Sequence, residues 1–434
     1  MAKHRWRALA VGVGVALTLS GCWPVPGGNA DRTAHAPGET ALTPATVAGL
    51  DQIWEIDLGD LPVASLVVYG GGVVGGTSYG VHRVNAATGT ATWSWSLPSG
   101  MEGIAAVGPP VVVDGRVLAG HGFGNLGGHW SSTWLDLATG AATTGPDLGP
   151  IQTARGTAVA ATQVSFGSGT PVLTTFSVDD VVTGTRRGGG WLTIDGSGRH
   201  HITLGTATAY HAGPGPIPPA PGGAWTQGSA VRSFPFGNAT TCGPGELPRF
   251  ACATWTTPVA AALTAPVLRP GGQTLYVGTS TGTVLALDTA TGARRWTADV
   301  GAGVSHPPAL ADGVLYVPTD DGDLVAVDAA ACDAAATAGT TSCAPRWSAP
   351  VDGTAIGAQP AVAGSGDDAV VVVATTGGTV AALDGRGCGA PTCGTPRWQA
   401  SVGSRVTGAP AIVGGRIHVG TSDGRLVTFG LPAQ

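Results

Sequence analysis

Charge is scarce in this chain of 434 residues: Asp, Glu, Lys and Arg make up 11% of it, against about 25% in an ordinary soluble domain. Glutamate occurs only at Glu39, Glu55, Glu102 and Glu246, which leaves little material for a carboxylate calcium site. Beyond the first few positions basic residues do not cluster; Arg186-Arg187 and Arg294-Arg295 are isolated pairs. With a net charge of −6, the chain lacks the basic surface that phosphate neutralisation requires, which argues against nucleic-acid binding. The sequence holds no CxxC, no adjacent cysteines, no CxxCH haem attachment, no HExxH and no P-loop. The short signatures of redox, haem, zinc-peptidase and nucleotide chemistry are therefore missing. Past the amino terminus no apolar run nears the ~18 residues of a membrane-spanning helix.

What is present begins with an export signal. Lys3, Arg5 and Arg7 precede an apolar stretch from Ala8 to Leu17 that is too short to cross a bilayer. Leu19-Ser20-Gly21-Cys22 then reads as a bacterial lipobox, in which the Cys22 thiol takes a diacylglyceryl group. An ordinary secretory signal with Cys22 near the cut is the alternative. Residues 1–21 are thus assigned as a lipoprotein signal peptide. Residues 22–41, rich in Pro, Gly, Ala and Thr, are expected to be a disordered tether, and 42–434 the folded body. Two or three acyl chains hold a protein on a membrane without a spanning helix. The expected location is extracytoplasmic, lipid-anchored to the bacterial cell membrane.

The remaining cysteines suit an oxidising compartment. Cys242 and Cys252, Cys332 and Cys343, and Cys388 and Cys393 each sit near one partner and far from the others. Three local disulfides are expected. The metal alternative has neither CxxC spacing nor a neighbouring histidine cluster, and no metal site is assigned.

Glycine, at 72 residues, separates short apolar segments, the pattern of many short strands and tight turns. The C-terminal half repeats. One unit is TAPVLRPGGQTLYVGTSTGTVLALDTATGARRWTADVG from Thr264 to Gly301, and three related units follow it. Each parses into strands A to D, with Pro266-Val267-Leu268, Leu275-Tyr276-Val277, Val284 to Leu287 and the Trp296 strand as the pattern. A Gly hairpin joins B to C, and an Asx-type turn, Asp288 to Gly292, joins C to D. Four-stranded units of about 40 residues stacked radially make a β-propeller. Leu66 to Trp93 and Asp114 to Gly140 follow the same grammar. Arg155 to Trp255 is irregular: two blades there give the expected eight in all, and one blade gives the alternative of seven. Within it strands are expected near Ala158–Val164, Val172–Val178, Trp191–Ile194, Ala224–Ser229 and Ala251–Trp255, and the Pro/Gly run His211 to Gly223 as an exposed loop. The last unit ends at Phe429 without a strand D, whereas Leu50 to Asp57 looks like an orphan strand D. Pairing the two closes the ring and places the tether at its seam.

The strings LYVGTSTGTVLALDTATGARRW and LYVPTDDGDLVAVD resemble the PQQ-like, quinoprotein-type propeller repeat, and the chain is similar to the outer-membrane assembly scaffold lipoproteins that carry it. The resemblance implies an all-β fold of probe-like outer Trp residues wedged between blades; Trp54, Trp93, Trp255, Trp296, Trp347 and Trp398 match those positions. Quinone enzymes of the family set a vicinal disulfide against the cofactor and hold Ca²⁺ with Glu, Asn and Asp. This chain departs from that pattern, so no cofactor is expected.

Strand order puts D–A and B–C loops on one face of the disc and A–B and C–D loops, with the cysteine pairs, on the other. Ligands are expected at the channel mouth on the first face, near Glu102, His306, Gln359 and Arg405 and the acids Asp320, Asp321 and Asp423. The reading is a membrane-anchored binding or scaffold module without catalysis, for a protein or small-molecule partner. The alternatives are a PQQ/Ca²⁺-dependent alcohol dehydrogenase-like quinoprotein and a cell-wall or carbohydrate-active lipoprotein.

Overall fold

The computed structural model describes residues 22–59, 62–63, 66–97, 105–123, 130–167, 170–193, 199–217, 226–235, 253–336 and 341–432. The signal segment, Glu102 and the Cys242 and Cys252 pair lie outside them.

Eight sheets, each built on four antiparallel strands, form an eight-bladed propeller. Blade 5 shows why the repeat folds this way. Its strands are Val267–Leu268, Thr274–Gly278, Thr283–Asp288 and Arg294–Asp299. Blades stack face to face, so the middle strands are covered on both sides. They read as continuous apolar runs, not as an alternating pattern; every residue of Thr274–Gly278 is buried. The C–D turn closes through Asp288, whose Oδ1 accepts from the N–H groups of Ala290 at 3.1 Å and Thr291 at 2.9 Å.

Tryptophans of strand D join neighbouring blades. Trp255 of blade 4 donates from Nε1 to the Thr289 carbonyl of blade 5 at 2.9 Å. Trp54 reaches Ala86 at 3.1 Å, Trp93 reaches Leu137 at 3.0 Å, and Trp398 reaches Leu50 at 2.8 Å. Trp296 donates to the Asp333 carboxylate at 2.7 Å. Trp347 is buried, and its Nε1 has no partner among the described residues. The glycine that ends the next blade's C–D turn lies under several of these rings. At Gly292 φ is +71°, and a Cβ would stand 2.4 Å from Trp255, so both backbone and packing demand glycine.

The ring closes with an N-terminal strand. Asp51–Asp57 pairs antiparallel with Arg425–Gly430, Trp54 opposite Thr428, and completes blade 8. The irregular stretch holds two blades. Blade 3 comprises Ile151–Arg155, Ala158–Gly167, Thr170–Asp180 and Thr185–Thr193. Blade 4 comprises His201–Leu204, Thr208–Ile217, Thr226–Pro235 and Trp255–Pro258. The expected loop from His211 is corrected here: His211 to Ile217 continue a strand, and His211 is fully buried. Past Ala212 that strand pairs with Thr226–Pro235 alone. Pro214 and Pro216 thus sit where, among the described residues, one edge is unpaired and a missing N–H is tolerated.

Disulfides join Cys332 to Cys343 and Cys388 to Cys393. Both are in C–D inserts that reach back to the preceding blade. Thr341–Ser342, from the blade 6 insert, adds a parallel fifth strand to blade 5. The Cys393 N–H, from the blade 7 insert, donates to Ser348 of blade 6 at 2.7 Å. The bridged inserts therefore cover outer strand edges that would otherwise be open to pairing.

The disordered tether expected over residues 22–41 is the largest correction. Trp23 is 2% exposed and Ala34 and Leu42 are 0%. The segment runs round the inside of the ring against the innermost strands. Carbonyls of Trp23, Pro24, Asp31, Thr33, Ala34 and Ala36 accept from the N–H groups of Val68, Val112, Leu268, Leu310, Val362 and Gly364 at 2.8 to 3.1 Å. His35–Ala36 adds a parallel strand to Ala361–Ala363 of blade 7. Glu39 accepts from Gly415 of blade 8 at 2.7 Å. The physical cause is the inner edge of each sheet. Strand A exposes N–H groups to the channel, and leaving one buried and unpaired costs about 1–3 kcal/mol. A Pro/Gly-rich sequence has the low hydrophobicity of a linker, but its carbonyls satisfy those donors. The seam is corrected with it: the Cys22 thiol lies against the Gly70 backbone, at the A–B turn of blade 1 on the inner ring.

Candidate ligand site at the mouth of the channel

At the other end of the channel, D–A and B–C loops surround a cavity of about 470 Å³. Arg199 and His201 come from the entry to blade 4, Ser280 from the B–C turn of blade 5, Ser305 and His306 from the entry to blade 6, and Arg405 from the entry to blade 8. Among the described residues that line it, none is a carboxylic acid. Among the described residues, neither Arg199 nor Arg405 is ion-paired with a carboxylate.

Behind the lining lies more positive charge. Arg32, from the segment inside the ring, is 8% exposed and sits at a left-handed φ of +57°. One of its terminal nitrogens donates to the Gln152 carbonyl, and its Nε has no partner among the described residues. Burial pushes the Arg32 guanidinium down to about 10. In blade 4, His200 and His211 are hydrogen-bonded at 3.1 Å, and buried Arg232 donates to the Gly213 carbonyl at 3.0 Å. Burial, and then the charges of Arg32, Arg199, His200 and His306, push His201 down to about 3. Burial, Arg199 and Arg405 lower His306, with Asp320 opposing them. Both rings are neutral at pH 7 in an environment short of negative charge.

The residues expected at the rim separate. His306 and Arg405 line the cavity together. Asp320 stands at its margin, accepting from the Ser305 hydroxyl at 2.8 Å. Asp321 and Asp423 close their own hairpins, accepting from Thr319 and Thr421. Gln359 is buried instead, and its Nε2 donates to the carbonyls of Arg32 at 2.8 Å and Pro308 at 2.9 Å. Arg199, His201 and Arg32 escaped sequence reasoning. The run Arg199-His200-His201 was the available signal, but its histidines match no metal spacing, and only the fold brings them beside Arg405.

Ser280 lies in Gly278-Thr279-Ser280-Thr281-Gly282, which matches the letters of a hydrolase nucleophile motif. Here the string is a hairpin between strands, not the strand-to-helix turn that exposes a nucleophile. The Ser280 hydroxyl accepts from the Ala262 N–H and that of Ser305 bonds Asp320, so His306 holds neither as a base would.

The protein has a PQQ-like β-propeller fold. A family model described as outer membrane protein assembly factor BamB matches residues 252–335 and 337–430. BamB from Moraxella catarrhalis superposes with a TM-score of 0.56 at 16% identity, over 89% of this chain and 98% of that one. Quinohemoprotein alcohol dehydrogenase from Comamonas testosteroni gives 0.62 at 16%, over 95% and 81%. The quinohemoprotein alcohol dehydrogenase ADHIIG from Pseudomonas putida HK5 gives 0.66 at 13%, over 96% and 81%. At such identities the likeness is one of fold. No curated protein sequence matches the chain.

The fold family raises a quinone paired with calcium, and the residues do not fit that pair. The cavity could hold the carboxylates of such a quinone, but its two arginines repel a divalent cation that needs oxygen ligands. Among the described residues no group of three or more His, Cys, Asp or Glu could hold a metal ion. The cysteine disulfides lie in C–D inserts on the opposite face.

Proposed function

We propose that this protein is a lipid-anchored, extracytoplasmic propeller that works as a binding scaffold and not as an enzyme. The observation that carries this reading is the segment inside the ring. It starts at Cys22 and occupies the inner edge of the channel, tying the point of attachment rigidly to the disc. The match to the BamB family model supports a scaffold role and a location outside the cytoplasm. Lipid on Cys22 would leave beside Gly70, from the face that carries the A–B turns and the bridged inserts. That face then lies toward the membrane and the basic cavity opens away from it. The carbohydrate reading finds little support: among the described residues the large hydrophobic side chains classed as exposed are Ile53 and Val182, neither aromatic.

The test is recovery of the protein from its own membranes. Mass spectrometry should find an acylated peptide starting at Cys22, and cross-linking should capture a protein partner on the cavity face. An unmodified Cys22, or dye-linked alcohol oxidation after loading with PQQ and Ca²⁺, would contradict the proposal.

A further inference from the structure

The mouth cavity has a polarity that the scaffold reading does not explain. Its lining brings together two guanidiniums, two imidazoles and three hydroxyls from four blades, with no carboxylate among the described residues. Protein surfaces usually distribute arginine near acids; here, among the described residues, the rim acids are committed elsewhere. Asp321 and Asp423 close hairpins, and Asp320 holds Ser305. Beneath the lining, Arg32 is more than nine-tenths buried, and its Nε has no partner among the described residues. Burying a cation without a counter-charge is costly, and a left-handed backbone at both Arg32 and Ala34 adds strain. Such a concentration of costs at one place is characteristic of a site completed by a ligand.

We propose that this cavity binds a compact soluble oxyanion bearing two or more negative charges, a phosphate ester or a polycarboxylate, held by Arg199 and Arg405 with His201, His306, Ser280 and Ser305. Arginine forks pair with both phosphate and carboxylate oxygens, and a volume of about 470 Å³ suits a small metabolite. The inference extends the binding reading by giving the cavity a ligand, but it needs only the folded disc and not the lipid.

Proton linkage gives the site a signature. His201 faces Arg32, Arg199, His200 and His306, and His306 faces Arg199, Arg405 and Asp320. A bound polyanion reverses the dominant sign of that field and raises both imidazoles, so binding takes up protons and tightens as pH falls.

Calorimetry on the purified full-length protein should use inorganic pyrophosphate and citrate at pH 6 and pH 8. The expected result is binding of at least one of them at one site per chain, tighter at pH 6, with proton uptake revealed by buffers of different ionisation enthalpy. Arg199→Gln and Arg405→Gln should each weaken it at least tenfold. Both side chains are exposed, so an unchanged unfolding midpoint will show that the variants fold. Arg294→Gln, on an outer strand, is the control. The two probes separate the sources: pyrophosphate alone indicates a phosphate ester, citrate alone a polycarboxylate. Binding of neither, or affinities as indifferent to Arg199 and Arg405 as to Arg294, would overturn the proposal. Either failure leaves the acylation and partner-capture result untouched.

Discussion

Asp333 offers a severe test of how the blades are joined. It sits on a short helix, Ala329–Ala335, in the disulfide-closed insert of blade 6, yet its partners are all in blade 5. Its carboxylate accepts from Trp296 Nε1 and the Tyr276 hydroxyl at 2.7 Å, from Arg269 at 2.6 Å and from Thr274 at 3.2 Å. Asp333→Ala removes all four acceptor contacts. Arg269 is 38% exposed at its side chain and can turn to water. Trp296 and Tyr276 are each 1% exposed and Thr274 is 0%, so their donors are stranded at about 1–3 kcal/mol each. Releasing the carboxylate from burial offsets part of this, which leaves a net loss of about 3–5 kcal/mol. Asp333→Asn keeps one acceptor oxygen and should lose less. The assay is urea unfolding of the disulfide-intact protein, with hydrogen exchange followed over 329–336. Tyr276 supplies a second readout. Burial, then the bond and charge of Asp333, raise its phenol; ultraviolet titration should find it lower in Asp333→Asn. A loss below about 1 kcal/mol in Asp333→Ala, with exchange unchanged, would refute this reasoning, since three stranded donors cannot cost so little.

Three further outcomes are expected. Gly292→Ala meets both a positive φ and the Trp255 ring, and should destabilise by about 2 kcal/mol or more, read by denaturant unfolding. His418 is fully buried, and burial followed by Arg416 pushes it down to about 3. Because the folded value is depressed below an unfolded value near 6.5, its contribution is complete above that value and is lost as pH falls toward 3. At pH 4.5 the loss should reach roughly 2–3 kcal/mol, and His418→Gln should flatten the change in urea midpoint between pH 7.5 and pH 4.5. In vesicles holding brominated lipid, a fluorophore on Asp367→Cys, beside an A–B turn, should be quenched more than one on Asp423→Cys in a B–C turn. The reverse order would place the cavity face on the membrane.

Blades 5 to 8 were legible because their strands are bounded by turns with a local chemical cause, as in Asp288 to Gly292, and because Trp296 marks strand D. Ring closure was legible from an unpaired strand at each end. Blade 4 was obscured by Pro214 and Pro216, which suit a strand only once one edge is known to be free. The segment from Trp23 was misread because its order comes from partners distant in sequence, from Val68 at one end to Val362 and Gly415 at the other, and no local pattern encodes such contacts. The cavity suffers the same way. His306 and Arg405 could be assigned to one face by strand order, but Gln359, also in an entry loop, turns inward to hold Arg32. Loop membership fixes a face and does not fix where a side chain points.

Hydrogen exchange of residues 23–41 in the full-length lipidated protein, reconstituted in vesicles, tests most directly whether the membrane anchor is built into the channel. Amides such as Trp23, which donates to Val68 at 2.7 Å, and Ala34, which donates to Gly27 at 2.9 Å, should exchange as slowly as inner-strand amides. Exchange of the whole segment at the rate of an unstructured peptide would show a flexible tether and an open channel, and would contradict the rigidly anchored scaffold.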